Sequence, residues 1–532
     1  MTNFLPLLPV KRLLLLLLAG IASIGYAQWE ADPAYITTEV FQQVYLTDEG
    51  LYLKPAMSVH RTGQLQSPRD ISPAIYTTPV HIWLVTQAAR IAGPHWYVAR
   101  WVSIMMTWLA VVGFWSVCRT RIPAPVAGLA ALAMATNFMF LHAGRLATAD
   151  PTALGFCCLS LWIWAVWRHT PAGLTAALIA ALLATWTKPT CAPLLAGIGV
   201  TEVISAWQQR RQGWRAVWMP LAILAAGAAT HLALFRYQMS LLAPTFGLTH
   251  PQPKTFSISF GTGIRHMFDS FAFAMPILPA ATAMLAAAVF GFFLQPRERR
   301  RELVLDPLFQ LCAIWIFTNT FLVGFITLHG ARYYFGTIPA WTYLAFRIMA
   351  WDGKAYAARL GWLLVLANLA VQVPFYYLWL TQNPRQTYIA ISRDIARRVT
   401  ENHPGGAQLL GHGISEWVEW FDTRVQARAI GYRSTDRVDP LEKRVDYWRP
   451  EYLLVNDDDI WSNSEAIENL RKKCEPFWAG MDLVAEYRLL FRNIYPNSPA
   501  IKPNLKLYRM RYHGRTGPPA EKETGKPPIY EK

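Results

Sequence analysis

The sequence has little of what marks a disulfide-stabilised, metal-binding or nucleic-acid-binding protein. It has six cysteines in 532 residues, and no two of them have the spacing of metal ligands or of a disulfide framework. Zinc-finger, RNA-binding and basic-helix patterns are also missing. The excess of 50 lysines and arginines over 34 acidic residues therefore needs another explanation. In a membrane protein, Lys and Arg collect in the loops that stay in the cytoplasm.

Long apolar runs, in contrast, are abundant. The chain is 53% hydrophobic and has 23 tryptophans. Its apolar blocks have the roughly 20-residue length that crosses a bilayer. They predict an α-helical polytopic membrane protein with about 11 transmembrane helices. The segments lie near 10–27, 97–118, 123–142, 150–167, 172–187, 189–207, 215–236, 269–294, 308–329, 333–350 and 361–381. The first also fits a cleaved signal peptide, but we interpret it as a retained helix because many spans follow.

The segment "PAIYTTPVHIWLVTQAARIAG" at 73–93 decides which side of the membrane each later loop faces. It has the length of a short span but carries several polar residues. If it lies flat at the interface and the N-terminus is cytoplasmic, the inside loops hold fourteen lysines and arginines, and the outside loops after the first hold six. If it crossed, "RERRR" at 297–301 would face outward. The positive-inside rule favours the interfacial placement.

This placement predicts that polar residues from distant parts of the chain gather on the outer face. Each is expected in a loop or at a helix end. Polar side chains that converge on one side of a helical bundle indicate a functional site. The residues are Asp48, Glu49, Arg145, Asp150, Lys188, His329 and Arg332.

The composition changes after about residue 382. Residues 382–512 predict a small extracytoplasmic α/β domain, with a helix at "ISRDIARRVTEN", strands at "AQLLGHG", "EYLLVND" and "LKLYRMRY", and a second helix at "SEAIENLRKKCEPF". Residues 513–532 are rich in Pro, Gly and charge, and are predicted to be disordered. "NDDD" at 456–459 resembles a metal motif of nucleotide-sugar transferases, but we favour a solvated turn because no nucleotide-binding domain surrounds it.

Several short motifs occur in an order that is typical of one family. They are "TDEGLYLKPAM", "TGQLQSP", "YTTPVHIWL", "FLHAGRLATADPTALGF", "TWTKPT" and "HGARYYFGTIPAW". Over about residues 10–380 the chain resembles the GT-C glycosyltransferases, and within them the bacterial relatives of protein O-mannosyltransferases and of lipid A aminoarabinose transferase. The resemblance implies a GT-C transmembrane catalytic domain at 1–381, with a first outer loop at about 28–96.

The resemblance also implies a reaction. Such enzymes take a sugar from a polyprenyl phosphate and pass it, with inversion, to an acceptor hydroxyl on the outer face of the bacterial inner membrane. A hydroxyl is a poor nucleophile, so a carboxylate should take its proton as it attacks. Asp48 aligns with the family's catalytic aspartate and is the expected base. Glu49 is expected to support Asp48 by orienting the acceptor or the loop.

The leaving lipid phosphate needs positive charge and hydrogen-bond donors. Arg332 with Tyr333 resembles the family's basic residue at the outer end of a late span. Asp150 aligns with a second outer-loop acid, which either binds the acceptor or pairs with Arg145. Further substrate-binding candidates are Tyr52, Lys54, Arg61, Arg145 and Lys188. Alternatively, Lys54 and Arg61 contact lipid headgroups, and Lys188 caps a helix end.

Two positions depart from the pattern near the aminoarabinose transferases. Leu51 stands where these relatives have an Arg, and Thr78 stands before a single Pro79 where they have a Lys before two prolines. Both missing residues contact the donor phosphate in the family. Tyr52 is retained. The departures put the donor in doubt and argue against a straightforward lipid A aminoarabinose transferase.

Two other classes of function compete with the enzyme. A transporter or flippase would show internal repeats and charges near the bilayer midplane, whereas here no repeat is seen and the charges sit at helix ends. An assembly protein would use the outer domain to bind a partner. We predict no cofactor and no metal, since no His joins Asp48, Glu49 and Asp150 by spacing. The expected partners are the lipid-linked donor, a lipid, glycan or protein acceptor, and membrane lipids, without nucleic acid.

Overall fold

In a computed structural model, the described residues are 10–29, 39–64, 78–208, 214–245, 279–325, 331–350, 355–381, 387–411, 415–429, 449–456, 478–488 and 504–513. Most of them are helical. A five-stranded sheet forms near the C-terminus.

The N-terminal third begins with four helices that build one side of the candidate site. They are α1 (Val10–Gln28), α2 (Glu39–Thr62), α3 (Pro79–Ala92) and α4 (Trp96–Arg119). Pro79 occupies the first turn of α3, where its missing N–H costs nothing. Gly93 ends α3 with φ 85°, a backbone conformation that favours glycine.

Helix α2 is the main feature that sequence reasoning did not predict. The segment predicted as the first outer loop contains both α2 and α3. We expected Asp48 and Glu49 in a loop or at a helix end, but they lie inside α2, which extends for more than two turns on either side. The acidic pair is therefore presented by a regular helix.

The next helices form most of the apolar bundle. They are α5 (Ala124–Ala135), α6 (Phe138–Arg145), α7 (Ala149–Trp167), α8 (Pro171–Thr187), a 3₁₀ turn (Pro189–Cys191) that leads into α9 (Ala192–Gln208), and α10 (Trp214–Thr245). The predicted span at 123–142 is broken between α5 and α6. Asn137 caps α6 by accepting a hydrogen bond from the backbone N–H of Phe140 at 3.2 Å.

The bundle is completed by helices from the second half of the chain. They are α11 (Pro279–Leu294), α12 (Arg297–Leu305), α13 (Pro307–Phe325), a 3₁₀ segment (Ala331–Thr337), α14 (Ile338–Met349), α15 (Ala355–Ala370) and α16 (Val373–Leu380). "RERRR" opens α12 rather than lying in a loop. Helices α12 and α13 meet at a bend of 77°.

Close packing between α4 and α7 depends on glycine. A Cβ on Gly155 would lie 2.7 Å from the carbonyl oxygen of Met106, and one on Gly113 would lie 3.1 Å from that of Cys158. Small residues let two helix backbones approach in this way in membrane proteins. The approach fixes α7 against α4, and so fixes the loops at their ends.

Each of the eleven predicted apolar segments contains helix within the described residues. Among those residues, four helices are long and apolar enough to cross a membrane, or up to five if the bent α12–α13 pair is one span. The four are Trp96–Arg119, Ala149–Trp167, Pro189–Gln208 and Trp218–Tyr237. The helical nature of the apolar segments is confirmed, and the number of crossings stays a prediction.

The described residues between 387 and 513 form the C-terminal unit. It consists of α17 (Tyr388–Asn402), β1 (Ala407–Gly411), α18 (Ser415–Phe421), β2 (Val425–Ala429), β3 (Tyr452–Asn456), β4 (Trp478–Arg488) and β5 (Asn504–Tyr512). The strand order is β2-β1-β3-β5-β4. Strand β1 runs parallel to β2 and β3, and β5 runs antiparallel to β3 and β4.

Three strands and the first helix of this unit were predicted from the sequence, whereas α18, β2 and β4 were missed. The predicted helix at 464–477, the acidic turn beyond Asn456 and the tail beyond residue 513 lie outside the described residues.

The C-terminal unit shares a hydrophobic core with the N-terminal helices. Leu53 and Met57 of α2, Val85 of α3 and Trp96 of α4 pack in one cluster with the buried faces of the sheet and of its two helices. Burial of apolar area stabilises such a contact by about 25 cal/mol per Å². The unit therefore packs against the same helices that carry the acidic pair.

Candidate functional site

Glu49 is the best-defined residue of the site. Its side chain is fully buried and accepts three hydrogen bonds. Arg100 donates from Nε to Oε1 at 3.1 Å and from Nη2 to Oε2 at 2.9 Å, and the backbone N–H of Ala147 donates to Oε1 at 2.6 Å. A two-pronged arginine–carboxylate pair fixes geometry as well as charge. Glu49 thus ties α2 to α4 and to the α6–α7 junction.

Arg100 also contacts two aromatic rings. Its guanidinium lies 5.3 Å from the ring centre of Trp96 and 5.4 Å from that of Trp417 on α18. Aromatic faces attract a cation, and the attraction strengthens where water is excluded. Arg100 is buried, so both its charge partner and its rings stabilise it.

A second buried arginine, at the end of α6, contacts the end of α1. Arg145 donates from Nη1 to the carbonyl oxygen of Trp29 at 2.5 Å, and its guanidinium lies 5.5 Å from the ring of Tyr26 and 5.4 Å from that of Trp29. Arg100 also donates to this carbonyl, at 3.4 Å. Two cationic side chains thereby meet at the carbonyl oxygen of Trp29.

Asp150 and Lys188 form an ion pair between the start of α7 and the end of α8. Asp150 lies in the first turn of α7, where the helix dipole favours a carboxylate. Lys188 follows the last residue of α8 and precedes the 3₁₀ turn. Asp150 was expected either to bind the acceptor or to pair with Arg145. Its ion-pair partner is instead Lys188.

His81 is a buried residue of this site that sequence reasoning did not select. It lies on α3, with Nδ1 at 2.9 Å from the hydroxyl of Thr152 and its ring 5.6 Å from that of Tyr52 in an edge-to-face contact. Burial lowers its pKa from 6.5 to about 4, against smaller opposing effects of the Ala147 backbone and Asp150. The imidazole is therefore neutral near pH 7.

The pKa of His81 predicts a loss of stability in acid. The unfolded chain binds a proton at this residue near pH 6.5, whereas the folded chain does so only near pH 4. The stabilisation is complete above the unfolded pKa and is lost as pH falls through the folded one, with a total of about 3 kcal/mol.

The measurement compares unfolding of wild-type protein and of the His81→Gln variant in detergent, between about pH 7 and about pH 4. Wild type should lose more stability than the variant over this range. His60→Gln is the matched control, because His60 is exposed in the last turn of α2. Equal losses in wild type and His81→Gln would contradict the prediction.

Lys54 and Arg61 point from α2 to the C-terminal unit. Lys54 Nζ lies 3.1 Å from both carboxylate oxygens of Glu419 on α18, and Arg61 Nη1 lies 2.7 Å from Oε2 of the same residue. Lys54 is buried, so it is not placed to contact lipid headgroups.

Three predicted residues have side chains outside the described part of the structure. These are Asp48, Arg332 and Tyr333, and His329 lies outside it altogether. The backbone of Arg332 belongs to the 3₁₀ segment Ala331–Thr337. A Cβ on Gly336 in that segment would lie 3.8 Å from Cys191 Sγ, just beyond Lys188 in the chain. The backbone of this segment and Lys188 are therefore near neighbours.

Within the described residues, no three or more His, Cys, Asp or Glu side chains form a group that could hold a metal ion. Because the side chain of Asp48 is not among them, the absence of a metal stays a prediction.

Two crystal structures of ArnT from Cupriavidus metallidurans match the chain over nearly its whole length. The apo structure has a TM-score of 0.56 and 14% identity, covering 94% of this chain and 98% of that chain. The structure bound to undecaprenyl phosphate has a TM-score of 0.58 and 15% identity, covering 92% and 97%. The chain has the GT-C fold.

An oligosaccharyltransferase from Archaeoglobus fulgidus also matches, with a TM-score of 0.47 and 12% identity over 92% of this chain and 72% of that chain. No family model and no curated protein sequence matches the chain. The predicted GT-C resemblance is confirmed as a fold.

Glu49 contacts Arg100 and Ala147, Tyr52 contacts His81, Arg145 contacts Trp29, and Asp150 pairs with Lys188. These contacts join elements of the GT-C bundle that neighbour one another. The predicted residues in these contacts are Glu49, Tyr52, Arg145, Asp150 and Lys188. Sequence reasoning missed Arg100 and His81, and Trp417 and Glu419 of the C-terminal unit. The sequence signal for Arg100 was a charged residue inside an otherwise apolar segment, since such residues are rarely tolerated without a role.

Proposed function

We propose that the chain is a glycosyltransferase that moves a sugar from a polyprenyl-phosphate donor to an acceptor hydroxyl, with inversion and with Asp48 as general base. The observation that carries the proposal is the anchored acidic pair: Glu49 is fixed by Arg100 and Ala147, directly beside Asp48. The fold adds support, because ArnT with the same fold binds undecaprenyl phosphate.

The contacts of Glu49 support giving the role of base to its neighbour. Both of its carboxylate oxygens accept hydrogen bonds from donors that hold the fold together. A general base needs an oxygen within reach of the acceptor hydroxyl. Consecutive residues of a helix project about 100° apart, so the anchor of Glu49 leaves position 48 available for another task. Glu49 then holds α2 in place and does not take the proton.

The donor phosphate is assigned to the cationic side of the site. Negative charge grows on the leaving phosphate oxygen as the bond to the sugar breaks, and preorganised positive charge stabilises it. Arg145, Lys188 and Arg332 are the proposed source, with Tyr52 and Tyr333 beside them. The support is that buried Arg145 and the Lys188–Asp150 pair lie next to the elements that hold Glu49.

The proposal includes a topology. About 11 helices cross the bacterial inner membrane, with the site and the C-terminal unit on the periplasmic side, as the positive-inside rule favours. Leu51 and Thr78 replace phosphate-contacting residues of the aminoarabinose transferases, so the donor headgroup is held differently here. The acceptor is a lipid, glycan or protein hydroxyl.

The proposal predicts a missing envelope product. Mass spectrometry of envelope lipids and glycans should find one sugar-modified species that disappears in a deletion strain and returns when the wild-type gene is supplied. In proteoliposomes, purified protein should consume a synthetic polyprenyl-phosphate sugar only when an acceptor is present.

The same proteoliposomes test the alternative of a transporter or flippase. Movement of labelled lipid between leaflets without any sugar transfer, together with an unchanged envelope, would contradict the proposed function and favour transport.

A further inference from the structure

Lys54 and Arg61 are two cations of α2 that converge on one carboxylate. Glu419 of α18 is fully buried, 3.1 Å from Lys54 Nζ and 2.7 Å from Arg61 Nη1. Both cations also donate to backbone carbonyls on and before β2. Lys54 donates to Ala427, and Arg61 donates to Val425 at 2.6 Å and to Thr423 at 3.1 Å. The pairing is thus complete only when α2 lies against α18 and β2.

Such a contact resists displacement. A buried ion pair adds little net stability, but loss of one partner leaves an uncompensated charge and is strongly unfavourable. With two cations on one anion, removing Glu419 leaves both Lys54 and Arg61 without their carboxylate. Any shift of α2 away from the C-terminal unit has the same consequence.

The position of these cations along α2 adds to their effect. Lys54 lies about 7–8 Å along the helix axis from Glu49, and Arg61 lies about 10 Å further on. Between the two cations lies Pro55, inside the helix. Proline removes one helical hydrogen bond and favours a kink. Contacts on both sides of Pro55 are therefore needed to define the direction of the half of α2 that carries the acidic pair.

A second contact links α18 to the acidic pair. Trp417, two residues before Glu419, lies with its ring 5.4 Å from the guanidinium of Arg100, and Arg100 holds Glu49. Trp417 also packs edge-on against Trp96, with ring centres 6.3 Å apart. One short helix of the C-terminal unit thus contacts α2 through Lys54 and Arg61, and contacts the partner of Glu49 through Trp417.

We propose that the C-terminal unit is a working part of the candidate site, and that Glu419 is the positioning residue through which it holds α2 and its acidic pair in place. The catalytic consequence rests on the function proposed above. Glu419 itself touches neither donor nor acceptor. Its effect reaches the reaction through α2.

The test is Glu419→Gln in the full-length protein, which keeps the shape of the side chain and removes its charge. A misplacement of about 1 Å at a reacting group costs on the order of 100-fold in rate. We expect kcat for sugar transfer to fall by about that factor, with little change in KM for the donor, since the cations proposed to hold the donor phosphate lie on elements other than α2. Glu419→Asp should recover part of the lost kcat. Glu401→Gln is the matched control, because its carboxylate is largely exposed on α17 of the same unit.

A distance measurement tests the positioning without any activity. Nitroxide labels at His60→Cys on α2 and Gln426→Cys on β2 replace two exposed residues. Cys474 is replaced by Ser, and the five described native cysteines are buried. Wild-type background should give one narrow distance distribution by pulsed EPR, and Glu419→Gln should broaden it.

The outcomes separate this proposal from the one on which it rests. If the wild type transfers no sugar but Glu419→Gln still broadens the distribution, the proposed function fails and the positioning role stands. If Glu419→Gln leaves both kcat and the distribution unchanged, the positioning role is overturned. Where Glu419→Gln does not accumulate in the membrane, Lys54→Gln replaces it, with a smaller change expected in the same direction and no change overturning the proposal.

Discussion

Replacement of Asp48 by Asn is expected to abolish detectable sugar transfer, lowering kcat by about 10²–10⁴-fold. An amide of the same size cannot take the proton of the acceptor hydroxyl, so the attacking oxygen stays a poor nucleophile. Because Asn conserves shape and Glu49 keeps its bonds to Arg100 and Ala147, the variant should insert into the membrane and unfold like the wild type.

Initial rates with a synthetic polyprenyl-phosphate sugar provide the measurement, with donor binding followed in parallel by native mass spectrometry. Donor affinity should change little, since the cationic side of the site is untouched. Glu401→Gln, an exposed carboxylate on α17, controls for the loss of one acid elsewhere. Full activity of Asp48→Asn would show that Asp48 is not the base. Loss of donor binding would instead assign Asp48 to the binding of the donor.

The apolar bundle was predictable because each membrane helix has a signal in its own stretch of sequence. A run of about 20 apolar residues satisfies its backbone within one helix and its side chains with lipid or neighbouring helices. Segments such as 150–167 therefore matched α7 to within one residue. Helix α2 gives no such signal. It contains Gly50 and Pro55 and has no sustained apolar period, so tertiary contacts such as Glu49–Arg100 and Lys54–Glu419 must stabilise it.

The composition of the site was less predictable than the fold, for a related reason. Asp150 pairs with Lys188, 38 positions away, only because α7 and α8 pack side by side. The alternative with Arg145 was attractive only because it was near in sequence. Glu419 is 365 residues from Lys54, and nothing local distinguishes it from a solvated surface acid. Strand β2, "VQARA", is similarly short and becomes a strand only beside β1.

The second large effect is expected at Arg100. Replacing it by Met leaves the fully buried carboxylate of Glu49 without its cation, which should lower the free energy of unfolding by about 3–5 kcal/mol. Arg100→Lys should also destabilise, though less, because a lysine cannot bridge both oxygens while contacting the rings of Trp96 and Trp417 as a planar guanidinium does. Unfolding in mixed detergent micelles, titrated with a denaturing detergent, gives the difference.

Combining Arg100→Met with Glu49→Leu should return much of this stability, because neither member of the buried pair is then left as an uncompensated charge. The backbone N–H of Ala147 loses its acceptor, which keeps the double variant about 1–3 kcal/mol below the wild type. A coupling free energy of about 2 kcal/mol between the two substitutions is the expected signature, and simple additivity would contradict it. Asp48 is intact in this double variant, but α2 has lost its polar anchor on α4, so stability should recover further than sugar transfer. A double variant as active as the wild type would contradict the role of Glu49 in holding α2.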